Sequence, residues 1–458
     1  MSGIQEGGGF SRGIRTISTA HERNTGERVR VVVPVTDGVV VSGAKDVVGW
    51  DELDQEGHMV VTGPFHGRQS LPTAPYDDLA VMVWLLYPGL DGTGRDLATM
   101  LSVLNIKLPD HGDIALGMDI GRVARTITAA YGRVFDLLMR HLRNEGLDTV
   151  YQELDRPVAL LLRQMEAIGI PVIRNTADVR AEKLETQRQW AGWPSRFVTP
   201  FTRRVHPTWC QTMSVTGRVT ARDPALQSLP KSLRYTVTAP PGRRMVAADY
   251  SAADFRAAAG LSRDPELLRL FNGGGDPYFE VGLLAGYAAR GKERQVGKQT
   301  ALAALYSSSP GSLAEDTGLP LPAVKSMVAG YKTRFPKLWQ WHADQLELYR
   351  SGREIRNPWG RILLPSSNSE VINHLCQSTT ADIVKTAMLR LHDTLPTDAA
   401  IILQNHDELM VECAESDSDN VATTMREAMT TPISQVPVVL AVKIGIGKSW
   451  AEATELQG

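Results

Sequence analysis

Three groups of polar residues in this 458-residue chain have the types and spacing to do chemistry together. The first centres on Asp249, in the run Met245-Val-Ala-Ala-Asp-Tyr-Ser-Ala-Ala-Asp-Phe-Arg256. Asp249 is either the cap of a following helix or a ligand for a hard divalent cation such as magnesium, which needs only one or two protein carboxylates. The second is His406-Asp407-Glu408, a polar break in the apolar run 399–413. An acidic tip of this kind is commonly just solvated. Two strand-end acids far apart in sequence, however, suit a two-metal phosphoryl-transfer site, where the ions clamp the attacking and leaving oxygens. The third is Arg294, Lys298, Leu302 and Tyr306, each four residues after the last. On a helix they share one slowly drifting face, with two cations suited to a triphosphate and an apolar and phenolic end suited to a sugar and base. A solvated face of an ordinary amphipathic helix has the same spacing.

These groups need rigid elements behind them. Residues 245–248 follow the turn Pro240-Pro241-Gly242 and read as a buried strand. The Ala- and Leu-rich run from Ser251, carrying Arg256 and Arg263, reads as a helix with Tyr250 or Ser251 near its N-cap. Residues 399–413 read as a hairpin with His406, Asp407 and Glu408 at its tip, and 373–391 as a long helix. Further upstream, 29–35, 39–41 and 59–62 read as short strands, and 77–86, 95–104 and 122–144 as helices. An amphipathic helix over 151–168 is closed by Gly169, and another is expected over 180–190. Gly273-Gly274-Gly275 is a turn rather than a phosphate cradle, because no lysine follows in the required register. Residues 325–349 read as helices around Pro336, 357–361 as a turn, and 437–446 as the last strands before a short polar tail.

Composition is that of a globular protein with more than one domain. A net charge of −2 gives no global attraction to nucleic acid, so binding rests on local clusters such as Arg203, Arg204, Arg218, Arg222, Lys231, Arg234, Arg243 and Arg244. Cys210, Cys376 and Cys413 lack metal-ligand spacing and fit a reducing compartment. No apolar run is long enough to span a membrane, so no membrane partner is expected, and the Gly-rich, charged start is not a signal peptide. Residues 1–27 have the composition of a disordered tail.

Taken in order, Asp249-Tyr-Ser-x-x-Asp-x-Arg256, Arg294-x-x-x-Lys298-x7-Tyr306 and His406-Asp-Glu408 resemble motifs A, B and C of family A DNA polymerases. Thr216-Gly-Arg218 with Pro224-Ala-Leu-Gln227 resembles that family's TGR and PNLQ signatures, and Asn373-His-Leu-Cys-Gln377-Ser-Thr-Thr-Ala-Asp382 resembles its N-x-x-x-Q-G-T-A-A-D helix. The resemblance runs from about Tyr151 to the C-terminus. It implies an α+β right-hand polymerase, with an antiparallel palm sheet, helical fingers and a reduced thumb, preceded by a small α/β exonuclease-like relic. The implied boundaries are 28–150 for the relic, 151–215 for the thumb, 216–262 and 351–458 for the palm, and 263–350 for the fingers. The relic is read as inactive, because its first strand runs into Pro34-Val-Thr-Asp37-Gly-Val39 without the family's Asp-x-Glu, and Tyr-x-x-x-Asp is missing from 129–139.

The resemblance also implies roles. Asp249 and Asp407, with the backbone of Tyr250, hold two magnesium ions, for which manganese substitutes, and Lys298 and Glu408 join them as catalytic residues. Arg294, Lys298, Leu302, Tyr306, Asp254, Arg234 and Tyr278 surround the nucleotide. Arg218, Gln227, Asn373, Gln377 and His406 touch DNA. The implied partners are primer-template DNA, dNTPs and a processivity factor that compensates for the reduced thumb, in the cytoplasm of a bacterial or phage-infected cell. Four substitutions around the nucleotide or primer end are notable: Asp254 replaces Glu, Leu302 an aromatic, Ser307 a glycine and Ser369 an arginine. A DNA-binding subunit of weak catalysis and a ribonucleotide-tolerant or primer-making polymerase are the alternatives.

Overall fold

Valine-rich segments open the part of the chain that the computed structural model describes, which comprises residues 29–35, 38–41, 58–61, 76–88, 120–173, 190, 192–286 and 290–455. Strands β1 (Val29–Val35), β2 (Gly38–Val41), β3 (His58–Val61) and β4 (Tyr76–Asp78) form one sheet in the order β2-β1-β3-β4. The β1–β3 and β3–β4 pairs are parallel, and β1–β2 is antiparallel. Helix α1 (Leu79–Leu86) starts where the Asp78 carboxylate accepts from the Ala80 amide at 2.9 Å. Its apolar side chains pack with Val134, Phe135, Leu138 and Leu142 of α2 (Ile120–Asn144) into a first core. The helix expected over 77–86 therefore starts later, at Leu79, since Tyr76–Asp78 pairs with β3 before it begins. The expected helix over 95–104, the tail 1–27, Asp37 and all but Trp190 of the expected helix 180–190 lie outside the described residues.

Helix α3 (Arg156–Ile168) is entered through a π-helical turn, Tyr151–Asp155, so the expected single helix has two parts. It ends at Gly169, whose φ of +68° and whose position 2.6 Å from the His206 ring, measured from an added Cβ, exclude a side chain there.

The second core surrounds a four-stranded antiparallel sheet of β5 (Arg243–Tyr250), β6 (Ala400–Asn405), β7 (Glu408–Ala414) and β8 (Val442–Gly447). Its order is β6-β7-β5-β8, so β5 lies inside the sheet. This is why Met245 to Ala248 are continuously apolar: both faces of the strand are covered, and all four residues are fully buried. The β6–β7 hairpin closes with Asn405 opposite Glu408 and His406-Asp407 as a two-residue tip. His406 takes the left-handed φ of +61° that such tight turns require.

Helix α4 (Ala253–Ser262) follows β5, and its N-cap is Ala252, at φ +56° and with no side-chain cap bond. The expected cap at Tyr250 or Ser251 is thus displaced, because Tyr250 is still paired in the sheet. Helices α5 (Pro277–Leu283) and α6 (Glu293–Leu305) cross at close range. A Cβ on Gly297 would meet the Tyr278 carbonyl at 1.7 Å, so backbone fills the space that a side chain would need. Helices Leu321–Arg334 and Pro336–Arg350 flank Pro336 as expected. Helix α7 (Asn368–Thr394) runs beyond both expected ends and is buried along most of its length. Residues 437–441 do not pair as a strand, and the expected polar tail instead contains α8 (Trp450–Glu455). Burial of Trp450 and Ala453 against the sheet holds that helix in place.

Candidate active site

The register of the sheet decides where the acids stand. Asp249 ends the inner strand with Glu408 opposite it on β7 and Lys443 opposite it on β8. The Tyr250 amide donates to the Asp407 carbonyl at 3.2 Å, which carries the pairing to the hairpin tip. Asp249 caps no helix; it belongs to an acid cluster. Burial pushes its carboxyl up to about 7, and the charges of Asp407 and Glu408 add to this against Lys298 and Lys443. Asp407 is also raised, first by burial and then by the neighbouring charge of Asp254. Two carboxylates destabilised by burial and by neighbouring negative charge are a donor set that a divalent cation would relieve. Among the described residues no cluster of three or more His, Cys, Asp or Glu side chains is assembled as a ready cage. A cation at this site would have to complete its shell with water and substrate oxygens, as magnesium usually does.

Glu408 shares a sheet face with Asp249, but its carboxylate is already held by other groups. It is buried, accepts from the Trp450 indole N–H at 2.9 Å and from the Asn405 amide at 3.2 Å, and lies 3.9 Å from the Arg234 guanidinium. Arg234 in turn sits 4.0 Å over the Trp450 ring. Arg234 is therefore joined to the prop beneath the hairpin tip and does not stand on the α6 face with Arg294 and Lys298. Trp450 escaped sequence reasoning because it lies in a short C-terminal segment with no motif around it.

Helix α6 presents Arg294 and Lys298 as exposed side chains, while Leu302 and Tyr306 are partly buried against the core. Arg294 Nε donates to Asp276 Oδ2 at 2.6 Å, an acid that also caps α5. Tyr278 is buried, with its ring stacked on Phe255 at 5.2 Å and the Arg294 guanidinium 5.9 Å from its centroid. At the other end of α6, the Tyr306 hydroxyl donates to Asp254 Oδ2 at 3.0 Å, and the Thr380 hydroxyl donates to Asp254 Oδ1 at 2.8 Å. Arg218 lies 3.8 Å from the same carboxylate. Asp254 thus joins residues from α4, α6, α7 and the loop before β5.

The remaining expected DNA contacts have internal partners. Gln227 accepts from the Ala221 amide and donates to the carbonyls of Val219 and Gln404, fastening its loop to β6. Gln377 donates to Asn373 one turn earlier on α7. His406 is exposed at the tip, and partial desolvation there, with the Arg218 charge, lowers its pKa. In the basic cluster, Arg204 and Arg243 both pair with buried Glu412, and Arg244 pairs with Glu415. Much of that cluster neutralises palm acids.

A second polar centre was missed. Arg361 is buried and binds Asp155 through Nη1 at 3.0 Å and Nη2 at 3.1 Å, and Asp382 through Nη2 at 2.7 Å and Nε at 3.2 Å. Lys385 adds a bond to Asp155 at 2.6 Å, and Trp84 of α1 lies 5.2 Å from the guanidinium. The turn expected at 357–361 gave no sign of this, because nothing local announces that its arginine points inward.

An antiparallel sheet with two acids at adjacent strand ends, facing a helix with a cationic face, defines a polymerase palm and fingers. The sequence profile of DNA polymerase family A matches residues 161–452, and the chain belongs to that family. It is 31% identical over 283 residues to a thermostable DNA polymerase I of Thermus filiformis, covering 57% of this chain and 34% of that protein. It is 30% identical over 410 residues to the thermostable DNA polymerase I of Thermus caldophilus, covering 81% of this chain and 49% of that protein. Identity to the DNA polymerase I of Chloroflexus aurantiacus is 28% over 283 residues, or 57% of this chain and 30% of that protein. The chain therefore spans a third to a half of the length of such curated relatives. A solved structure of the POL domain of Pol1 from M. smegmatis, in complex with DNA primer-template and dNTP, has the same fold. The TM-score is 0.76 at 19% identity, over 93% of this chain and 96% of that one. No helix among the described residues is long and apolar enough to cross a membrane.

Proposed function

We propose that the protein is a template-directed DNA polymerase that adds deoxynucleotides to a primer 3′ end by two-metal phosphoryl transfer, without proofreading. The observation that carries this reading is the convergence of Asp249 and Asp407 at one end of the sheet, within reach of the Lys298 charge from α6. Magnesium ions bound by these acids and the Tyr250 backbone would supply Lewis-acid activation of the 3′-hydroxyl and charge neutralisation on the phosphates. Manganese would serve in the same positions.

The protein's own groups do the rest. Arg294 exchanges Asp276 for the incoming triphosphate, Lys298 holds the phosphates nearer the acids and gives a proton to the leaving pyrophosphate, and Tyr306 closes the base end. Glu408, held by Trp450 and Asn405, fixes the hairpin tip so that Asp407 keeps its aim. Arg218, Gln227, Asn373, Gln377 and His406 line the path of the primer-template. We assign residues 216–262 and 351–458 to the palm, 263–350 to the fingers, 151–215 to a reduced thumb and 28–150 to an exonuclease-like scaffold. A non-catalytic DNA-binding subunit would not need Asp249, Asp407, Lys298 and Arg294 together. Primer extension with magnesium, supplying dNTPs and rNTPs separately, tests the proposal. Absence of template-dependent addition with either would refute it.

A further inference from the structure

We infer that Thr380 is a positioning residue for sugar selection, fixing the Asp254 carboxylate beside the nucleotide's sugar. The inference rests on the polymerase reading above. Two departures from the resembled pattern meet here: Asp254 stands where that pattern has Glu, and Thr380 where its helix motif has Ala. The two side chains touch at 2.8 Å, hydroxyl to Oδ1.

The bond is not the one a helical threonine makes by default. In the same helix the hydroxyls of Thr386 and Thr394 donate back to the carbonyls of Asp382 and Arg390, four residues earlier. Thr380 is 3% exposed and reaches across to α4 instead. A buried hydroxyl needs a partner, and this one takes a carboxylate oxygen that the sugar side of the site also sees.

The location follows from the neighbours of Asp254. Tyr306 holds its Oδ2 from the base end of α6, and its charge acts on Asp407 at the metal end. A nucleotide with its phosphates at Arg294 and Lys298 and its base at Tyr306 puts its sugar between these points, against Asp254. With both oxygens held, the carboxylate cannot rotate. A shorter acid held at both oxygens presents a fixed wall; held at one, it can turn aside or accept a bond from a ribose 2′-hydroxyl.

The test is single-nucleotide insertion kinetics on a primed template, comparing one dNTP with its rNTP. Thr380→Val keeps the shape and removes the hydroxyl, and Thr380→Ser keeps the hydroxyl. In Thr380→Val the preference for dNTP over rNTP is expected to fall about tenfold, the factor carried by one lost hydrogen bond to a charged group, chiefly through a lower KM for the rNTP. Thr380→Ser is expected to hold the preference. If valine lowers the melting temperature, Thr380→Ala against Thr380→Ser makes the same comparison without the methyl. Equal preference in all variants, or a parallel loss of kcat/KM for both nucleotides, overturns the inference while leaving the polymerase reading intact. An unmodified protein that inserts no deoxynucleotide overturns both.

Discussion

Arg361→Met tests how the turn at 357–361 is locked to the π-helical turn Tyr151–Asp155 and to α7. The wild-type guanidinium makes four N–H···O contacts of 2.7 to 3.2 Å with Asp155 and Asp382. Both acids are 0% exposed and the arginine 1%. Methionine fills comparable volume but leaves two buried carboxylates to share the Lys385 ammonium. Removing one partner from a buried ion network costs about 3–5 kcal/mol, because the uncompensated charge keeps its desolvation penalty. In a chain of this size that corresponds to a melting temperature lower by roughly 3–5 °C. The effect should also reach the DNA side, since a Cβ at Gly217 would lie 3.1 Å from Arg361 Nε and the loop bearing Arg218 therefore rests on this side chain.

The pH dependence gives the sharper check. Burial alone pushes Asp155 up, but the charges and hydrogen bonds of Arg361 and Lys385 more than reverse this and hold it below its ordinary 3.8. Its stabilisation is therefore complete above that value and is lost as pH falls through the lower folded pKa. In the variant the excess buried negative charge favours proton uptake, so the stability gap to wild type should narrow on acidification. Thermal unfolding of both proteins between about pH 4.5 and 8 measures it. A gap under about 1 kcal/mol, or one that does not change with pH, would refute the account of Arg361 as the counter-charge of two buried acids.

Asp249→Asn and Asp407→Asn are each expected to abolish nucleotide addition, a loss of several kcal/mol of transition-state stabilisation, while DNA binding in a mobility-shift assay stays near wild type; near-normal extension by either variant would contradict the metal assignment. Without divalent cation, the raised pKa of Asp249 means stability falls as pH climbs from 3.8 through about 7, so magnesium should raise the melting temperature more at about pH 8 than at about pH 6. Equal shifts at the two values would count against it. If residues 151–215 form the reduced thumb proposed, synthesis should be distributive and should fail at moderate salt unless a partner substitutes, because fewer phosphate contacts leave a weaker complex at any ionic strength; long products from one binding event in a trap experiment would refute this. A mismatched 3′ end should remain intact with magnesium, and metal-dependent shortening that survives Asp407→Asn would show a working nuclease.

The amino-acid sequence by itself determined the catalytic strand, the hairpin and the helical face. Each is a local periodicity: four apolar residues before Asp249, an apolar run with a polar break at His406-Asp407-Glu408, and a repeat of four from Arg294 to Tyr306. Ordered motifs then tied these pieces to a family, because their spacing reflects one chemistry. What local pattern could not supply was partnership across the chain. That Glu408 turns inward to Trp450, that Thr380 answers Asp254, and that Arg361 neutralises Asp155 and Asp382 depend on contacts 42, 126, 206 and 21 residues apart. The boundary errors have the same origin. Tyr250 remains in the sheet because Val442 pairs with it, and the C-terminal tail is a helix because Trp450 finds a buried place beside Glu408. Burial decides whether a charged side chain is solvated, paired or poised for a ligand, and burial is a property of the packed molecule.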